Sequence, residues 1–261
     1  MSTPTTFEEL LAEGESVPVE GWDFSWFEGR ATEDRPSWGY SRLLRERVSA
    51  ASAVVDIQTG GGEVLASAVR AEHPPAILAA TESWPPNAEI ARRRLQHLGA
   101  TVVEVADEAD LPFPDASFDL VVSRHPTLTI WPEIARVLRP GGSYLSQQVG
   151  AGTVHELTDF MMGPQPVGGA RSTRRAVAAA EAAGLEVVDL RVETLPMSFN
   201  DIGAVVHFLR KVIWIVPDFT VDRYRQPLRD LHEQIQREGP FRAYSRRFLI
   251  EARKPDQATD R

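Results

Sequence analysis

The sequence predicts an α/β protein whose core is a doubly wound, mostly parallel sheet of seven strands with helices on both faces. Between Ala53 and Gln148, short runs rich in β-branched residues alternate with segments of helical periodicity, which is typical of βαβ units. A glycine-rich turn follows the first of these strands. The chain has 261 residues, 43% of them hydrophobic, which is enough for one full core domain with additions.

The elements follow from hydrophobic period and from turn residues. We predict strands at 53–57, 76–81, 101–105, 118–123, 143–149, 185–192 and 244–252. We predict core helices at 63–71, 86–98, 131–138 and 172–183. Gly99 and the pair Gly141-Gly142 are expected to end two of these helices.

The domain organisation has five parts in this prediction. Residues 1–50 form an N-terminal aromatic-rich lid or cap segment, 51–195 the core, 196–240 a helical insertion, 241–254 the final core strand and 255–261 a disordered tail. The insertion is expected to hold two amphipathic helices, because its apolar residues recur at helical spacing. The N-terminal aromatic residues form either a small packed layer or a lid over an apolar substrate. They are Trp22, Phe24, Trp26, Phe27, Trp38 and Tyr40.

Composition excludes several kinds of chemistry. The chain has no cysteine, so it has no disulfide, thiolate nucleophile or sulfur-ligated metal, and no other repeated metal-ligand spacing occurs; we predict no metal site. A net charge of -9 disfavours a nucleic-acid partner and favours a small-molecule substrate. No apolar run approaches the roughly 20 residues needed to span a bilayer, so we expect a soluble, cytoplasmic protein without membrane contact. The sequence does not determine the oligomeric state, and a homodimer is one of the open alternatives.

The glycine-rich turn lies in the run Asp56-Ile57-Gln58-Thr59-Gly60-Gly61-Gly62-Glu63. The order strand, glycine-rich turn, helix presents backbone N–H groups to a ligand. A dinucleotide-binding loop or a simple tight turn has the same pattern. Glu82 ends the second strand 22 residues after Gly60, where a carboxylate could accept hydrogen bonds from both ribose hydroxyls of an adenosine. Ser83 and Trp84 follow; the indole either covers an adenine face or lies on the surface against Pro85-Pro86.

Four ordered motifs come after the third strand. They are Ala106-Asp107-Glu108, Leu111-Pro112-Phe113, Ser117-Phe118-Asp119 and Arg136-Val137-Leu138-Arg139-Pro140-Gly141-Gly142. In this order they resemble class I S-adenosylmethionine-dependent methyltransferases, in particular the small-molecule, type 11-like branch. The resemblance covers about Val54 to Val149 and implies a Rossmann-like fold with S-adenosyl-L-methionine as the cofactor.

The resemblance also assigns residues. It implies that Asp107 binds the adenine amino group with Glu108 beside it, and that Gly60 and Gly62 pack on the methionine part of the cofactor. We add Asp56 and Ser123 as cofactor-contacting positions. The family has glycine where this chain has Gln58; a positive φ there would strain glutamine by about 1 kcal/mol or more.

The methyl acceptor should bind at the C-terminal edge of the sheet. Methyl transfer requires alignment, removal of water and sometimes removal of one proton. His125, after the fourth strand, is our candidate catalytic base. Alternatively, His125 has a structural role and caps that strand or a helix that begins near Thr127. His155 and His207 have weaker claims and are more typical of packed or half-exposed residues. The insertion at 196–240 is a second candidate cap over the substrate.

The predicted function is transfer of a methyl group to a small, partly apolar acceptor. The alternatives are an rRNA or tRNA base methyltransferase and a non-catalytic protein that keeps the S-adenosylmethionine fold. A dinucleotide oxidoreductase fits less well, because the glycines do not match Gly-x-Gly-x-x-Gly in order.

Overall fold

The computed structural model describes residues 6–19 and 24–256, so Trp22 and residues 257–261 of the predicted tail lie outside it. The strands are β1 (Ala31–Glu33), β2 (Ala53–Asp56), β3 (Ile77–Glu82), β4 (Thr101–Glu104), β5 (Phe118–Arg124), β6 (Leu138–Val149), β7 (Glu186–Phe199) and β8 (Phe241–Arg253). The α-helices are α1 (Phe7–Ser16), α2 (Tyr40–Ala50), α3 (Glu63–Ala68), α4 (Pro85–Leu95), α5 (Trp131–Val137), α6 (His155–Met162), α7 (Thr173–Ala182), α8 (Ile202–Lys211) and α9 (Arg225–Glu238). Short 3₁₀ turns occur at Ser25–Phe27 and Gln96–Leu98.

The sheet has the strand order β1-β7-β8-β6-β5-β2-β3-β4. The pairs β2–β3, β3–β4, β2–β5 and β5–β6 are parallel, whereas β1–β7 and β6–β8 are antiparallel. The chain winds outward from β2 through β3 to β4 and then returns to β5 on the other side. The order therefore reverses between β2 and β5, the place where open α/β sheets bind ligands.

The predicted number of strands was wrong. The described part of the chain has eight strands rather than seven, because β1 pairs with the end of β7 in the register Ala31↔Phe199. Three residues are too few to show an alternating pattern, and they lie in the segment predicted as a lid.

The pair Gly141-Gly142 does not end a helix, contrary to the prediction. Helix α5 stops at Val137, and β6 begins at once with Leu138, which pairs with Phe118. The β5–β6 register then shifts, and the glycines lie within β6 at this irregularity. A Cβ atom on Gly142 would come within 2.9 Å of the carbonyl oxygen of Arg139, so the bend requires glycine.

The chain divides into two compact units. The helical unit is Met1–Arg35, Ala151–Gly168 and Thr194–Arg246; the sheet unit is Pro36–Gly150, Gly169–Glu193 and Arg247–Arg261. Residues 36–50, placed by the sequence in the N-terminal segment, thus belong to the sheet unit. The insertion belongs to the helical unit together with 151–168.

The sheet unit buries both faces of its strands. Along β2, Val54 belongs to one apolar cluster, while Ala53 and Val55 belong to another. Successive side chains of a strand point to opposite faces, so the two clusters lie on the two sides of the sheet. This confirms the predicted helices on both faces.

The helical unit has its own apolar core. Helix α1 begins with a capping box in which the Thr6 hydroxyl accepts from the Glu9 N–H and the Glu9 carboxylate accepts from the Thr6 N–H. It then packs closely on α8: a Cβ atom on Gly14 would lie 2.5 Å from the Gly203 carbonyl oxygen. The predicted insertion helices correspond to α8 and α9, whose buried side chains contribute to this core.

No helix within residues 6–19 and 24–256 is both long and apolar enough to cross a membrane.

Candidate functional site

A cavity lies in the sheet unit, beyond the C-terminal ends of β2, β4 and β5. It contains about 410 Å³ of space between atoms, part of which is open to solvent. Its lining residues are Ile57, Gln58, Thr81, Val105, Ala106, Asp107, Ala109, Leu111, Ser123, Pro126, Leu128, Thr129, Ile130, Ile134 and Tyr144. Of the residues predicted to contact a cofactor, the cavity brings together Gln58, Asp107 and Ser123.

The glycine loop is tied to the neighbouring strand. The N–H of Gly60 donates to the Glu82 carboxylate at 2.8 Å, and the N–H of Thr59 donates to the carbonyl oxygen of Thr81 at 2.9 Å. Gly62 has a φ of 77° and caps α3, and a Cβ atom there would be 3.1 Å from the Leu95 side chain of α4. The observed role of Gly62 is therefore to let α3 start against α4.

Gln58 adopts the backbone conformation that would strain it. Its φ is 57°. Its side-chain Nε2 donates to the carbonyl oxygen of Leu128 at 2.7 Å, and its Oε1 accepts from the N–H of Thr127 at 2.6 Å. The amide thus bridges the glycine loop and the loop after β5, both of which line the cavity.

Asp56 and Glu82 are buried carboxyl groups beside the loop. Burial raises the pKa of Asp56 to about 7, the Glu82 charge adds to this, and a 2.6 Å hydrogen bond from the Thr59 hydroxyl opposes it. Burial also raises the pKa of Glu82, and its oxygens accept from the N–H groups of Gly60 and Trp84. Neither carboxyl lines the cavity.

The residues that follow Glu82 lie toward the surface. Ser83 is half-buried, and Trp84 is 41% exposed. Neither side chain lines the cavity, so the structure places the indole at the start of α4 without bringing it to the walls of the pocket.

Asp107 carries an unsatisfied acceptor. It lines the cavity, its Oδ1 atom is buried, and no residue in the described part of the chain donates to that oxygen. A buried acceptor without a donor is costly, and such atoms are explained by a ligand or by water. Glu108, next to it, is exposed and does not line the cavity.

His125 is held by the buried Gln147 side chain, which Trp38 orients. The Trp38 indole N–H donates to Gln147 Oε1 at 2.8 Å, which leaves the Gln147 Nε2 group to donate to His125 Nε2 at 2.9 Å. His125 Nε2 therefore carries the lone pair, and Nδ1 carries the proton. The His125 N–H also donates to the Gln147 carbonyl oxygen at 2.7 Å, fixing the residue at a φ of 55°.

The imidazole of His125 stays neutral. Burial lowers its pKa well below the usual range, and the positive charges of Arg124, Arg247 and Arg171 lower it further. His125 does not itself line the cavity, but Ser123 and Pro126 on either side of it do.

The other predicted aromatic and histidine residues divide between the units. His207 is 1% exposed and packs with Trp26 and Phe27 in the helical unit, where burial and nearby cations lower its pKa to about 4. His155 lies in the same unit at 3.0 Å from the Gln165 carbonyl oxygen. Trp38 and Tyr40 are buried in the sheet unit.

The sequence prediction missed several residues of this site. Thr81 and Tyr144 line the cavity, and the Ser123 hydroxyl lies 2.7 Å from the Tyr144 hydroxyl. Gln147 is a polar residue that is almost fully buried in β6. The strand contains other polar residues, so the sequence alone did not single it out. The partner of Gln147, Trp38, is 109 residues away along the chain and gave no local signal.

Comparison with known proteins adds two findings. Residues 55–146 match the family model described as a methyltransferase domain. A search of curated proteins gives no significant match.

Similar solved structures share the fold. The YcgJ protein from Bacillus subtilis has a TM-score of 0.58 at 20% identity, covering 83% of this chain and 98% of that one. A proposed methyltransferase from Bacillus halodurans has a TM-score of 0.56 at 19% identity, covering 82% and 98%. The [4+2]-cyclase SpnF has a TM-score of 0.51 at 18% identity, covering 95% and 92%. These likenesses confirm the predicted fold class, a Rossmann-like α/β sheet with helices on both sides.

Proposed function

We propose that this chain, which carries a class I S-adenosylmethionine-dependent methyltransferase domain over residues 55–146, transfers a methyl group to a small, partly apolar acceptor. The observation that carries the proposal is the cavity at the switch in strand order, with the unpartnered Oδ1 of Asp107 in its wall. All the residues that line this cavity lie within the matched range.

The residues present fit the cofactor. An adenine amino group is a donor that would satisfy Asp107 Oδ1. The Glu82 carboxylate accepts from the N–H groups of Gly60 and Trp84 and, with two lone pairs on each oxygen, keeps capacity for a ribose hydroxyl. Gln58 and Ser123 would contribute further walls. When bound, S-adenosyl-L-methionine supplies a methyl group already activated by the positive charge on sulfur.

The chain's own contribution is to exclude water and to align the acceptor. Apolar side chains dominate the cavity wall, among them Val105, Leu111, Leu128 and Ile134. Exclusion of water by these apolar side chains strengthens the few polar contacts and favours a fixed approach of the two reactants.

His125 fits the role of a hydrogen-bond donor better than that of a base. Its Nε2 lone pair already accepts from Gln147, and the proton on Nδ1 can be donated to an acceptor molecule. Proton removal by Nε2 would require the buried Gln147 side chain to leave its bond with Trp38. We therefore propose that His125 orients the acceptor through Nδ1.

A second candidate is a chain that binds the cofactor without transferring its methyl group. Two observations favour it: the Nε2 atom of the candidate base is occupied, and Gln58 replaces a family glycine. SpnF, a [4+2]-cyclase with a similar fold, indicates that this fold is not restricted to one reaction.

Calorimetry with S-adenosylmethionine and its demethylated product tests the proposal. We expect both to bind, and Asp107→Ala to weaken binding about tenfold or more through loss of the adenine acceptor. Asp110→Ala is the matched control, because Asp110 is exposed and outside the cavity lining. If neither compound binds to the wild type, the proposal is refuted.

A turnover assay separates the two candidates. The demethylated product accumulates only when an acceptor is methylated, so it is measured over a panel of small phenols, amines and carboxylic acids. Turnover of any of them supports the enzyme; cofactor binding with no turnover across the panel favours the binding protein.

A further inference from the structure

An apolar stripe lies on β7, in the part of that strand that belongs to the sheet unit. Val188, Leu190 and Val192 alternate along the strand and are 51%, 40% and 60% exposed. Successive side chains of a strand point to opposite faces, so these three lie on one face. Single exposed apolar residues are ordinary, whereas a contiguous exposed stripe indicates an interaction surface.

The same stretch of β7 has an unpaired backbone edge. In the strand order, β7 lies between β1 and β8. β1 pairs with β7 only at 197–199, and the Asp34 N–H donates to the Pro196 carbonyl oxygen just before them. Within residues 6–19 and 24–256, no strand therefore pairs with residues 186–192 on that side. Such an edge presents N–H and C=O groups that can pair with another chain.

The side chains of this stretch are complementary to themselves. Asp189 and Arg191 form an ion pair at 2.7 Å and alternate with the apolar residues, so they lie on the other face of β7. When two copies pair antiparallel about a two-fold axis at Leu190, Asp189 of each copy lies opposite Arg191 of the other. Val188 then lies opposite Val192, and Leu190 opposite Leu190. Unlike charges and apolar residues in directly opposed positions both stabilise a strand pair.

The charges also select the register. Side chains of paired strands stay on their own faces only when the register shifts by an even number of residues. A shift by two places Asp189 opposite Asp189 in one direction and Arg191 opposite Arg191 in the other, and like charges directly opposite destabilise the pair. Of these three registers, only the one centred on Leu190 opposes unlike charges. Its overlap, 187–193, ends before the part of β7 that β1 covers.

We infer that residues 187–193 form a dimer interface, at which two copies of this chain join their sheets edge to edge in the register centred on Leu190. The occupant of this edge is a second copy, because the stretch matches itself in charge and in apolar pattern. A two-fold interface uses the same surface on both copies, so the assembly closes at two. The dimer also covers the exposed strand edge, which would otherwise favour uncontrolled association.

Sedimentation velocity over a range of concentrations tests the dimer. We expect the wild type to dimerise, and Leu190→Lys to raise the dissociation constant about tenfold or more, because two ammonium groups would meet at the axis. Ile213→Lys is the matched control, since Ile213 is 66% exposed and lies outside β7. A wild type that is monomeric at about 1 mM, or a dimer that Leu190→Lys leaves unchanged, overturns the inference.

Charge reversal tests the pairing of Asp189 with Arg191. Asp189→Arg and Arg191→Asp each place like charges opposite each other on both sides of the axis, so each should weaken the dimer about tenfold. The double variant restores unlike charges in every pair and should recover the wild-type dissociation constant. If the double variant associates no better than the single ones, the register centred on Leu190 is wrong.

Introduced thiols report the register directly, because the chain has no cysteine. Leu190→Cys would bring two thiols to opposed positions with Cα atoms about 4.5–5.5 Å apart, within reach of a disulfide. Val188→Cys would leave its two thiols about 13 Å apart. With oxidised glutathione as the oxidant, we expect a covalent dimer of Leu190→Cys and none of Val188→Cys. Both side chains are exposed, so neither change disturbs the core. Cross-linking of Val188→Cys, or of neither variant, overturns the register.

Discussion

Replacing Gln58 with glycine tests how the chain accommodates its departure from the family loop. The change restores the family residue and removes the strain at a φ of 57°. It also removes the two side-chain hydrogen bonds to Leu128 and Thr127. The two effects have opposite signs, so their magnitudes decide the outcome.

The magnitudes follow from the structure. Relief of a left-handed conformation contributes roughly 1–2 kcal/mol, and glycine costs roughly 0.5–1 kcal/mol in chain entropy. Two hydrogen bonds at a net value of roughly 0.5–1.5 kcal/mol each are lost. We therefore expect Gln58→Gly to lower the free energy of unfolding by about 1 kcal/mol.

Ala116→Gly is the matched control. Ala116 is exposed, has a φ of 52°, and its backbone N–H bond to Arg136 is kept by glycine. This change relieves the same strain without losing a side-chain bond, so it should stabilise by about 0.5–1 kcal/mol. The two variants should differ by about 2 kcal/mol in free energy of unfolding, and this difference measures the contribution of the two Gln58 side-chain hydrogen bonds.

Denaturant unfolding gives the free energies, and hydrogen exchange gives a local check. The Thr127 N–H should exchange about tenfold faster in Gln58→Gly, because its acceptor is gone. Affinity for the demethylated cofactor should fall or stay unchanged. If Gln58→Gly stabilised the protein as much as Ala116→Gly does, or if it raised the affinity for the cofactor strongly, the two side-chain hydrogen bonds would contribute nothing. Gln58 would then only weaken the loop.

Two further predictions concern buried polar groups of the sheet unit. Asp56→Asn should stabilise the protein increasingly as pH rises from about 4 to about 7, by up to a few kcal/mol, because the raised pKa of Asp56 means that the folded state holds a proton that the unfolded state has released. Denaturant unfolding at pH 5 and pH 8 checks this, and an equal effect at both pH values would contradict it. Trp38→Phe removes the indole N–H that donates to Gln147. The imidazole of His125 should then populate both tautomers, which its ¹⁵N chemical shifts would show. Retention of one tautomer would show that Trp38 does not orient the amide.

The cofactor loop and the fold could be predicted because their signals are local. A buried strand, a glycine turn and a helix are continuous in sequence, and Glu82 occurs at the end of the next strand. The four motifs after β4 resemble those of methyltransferases, and residues 55–146 match the model of a methyltransferase domain. Glu82 also ties down Gly60 itself, a contact that the ribose argument did not include.

Other features depend on distant parts of the chain and could not be found this way. The contact of Trp38 with Gln147 exists only after folding, because 109 residues separate them. The glycines at 141 and 142 follow a helix and so suggested a helix end, yet pairing of Leu138 with Phe118 draws them into a strand. The capping box of Thr6 and Glu9 was a local signal for α1 that the prediction did not use.

The packing of α1 on α8 constrains the order in which the protein can fold. The buried residues of α1, such as Leu10 and Leu11, share a core with residues of α8 that are synthesised almost 200 positions later. Such long-range contacts form slowly, and a growing chain must leave the apolar side of α1 unburied until Ile202–Lys211 has left the ribosome. Helix α1 is made long before α8 and is therefore among the last elements to reach its native surroundings, so a chain cut short before α8 would expose a surface that favours aggregation.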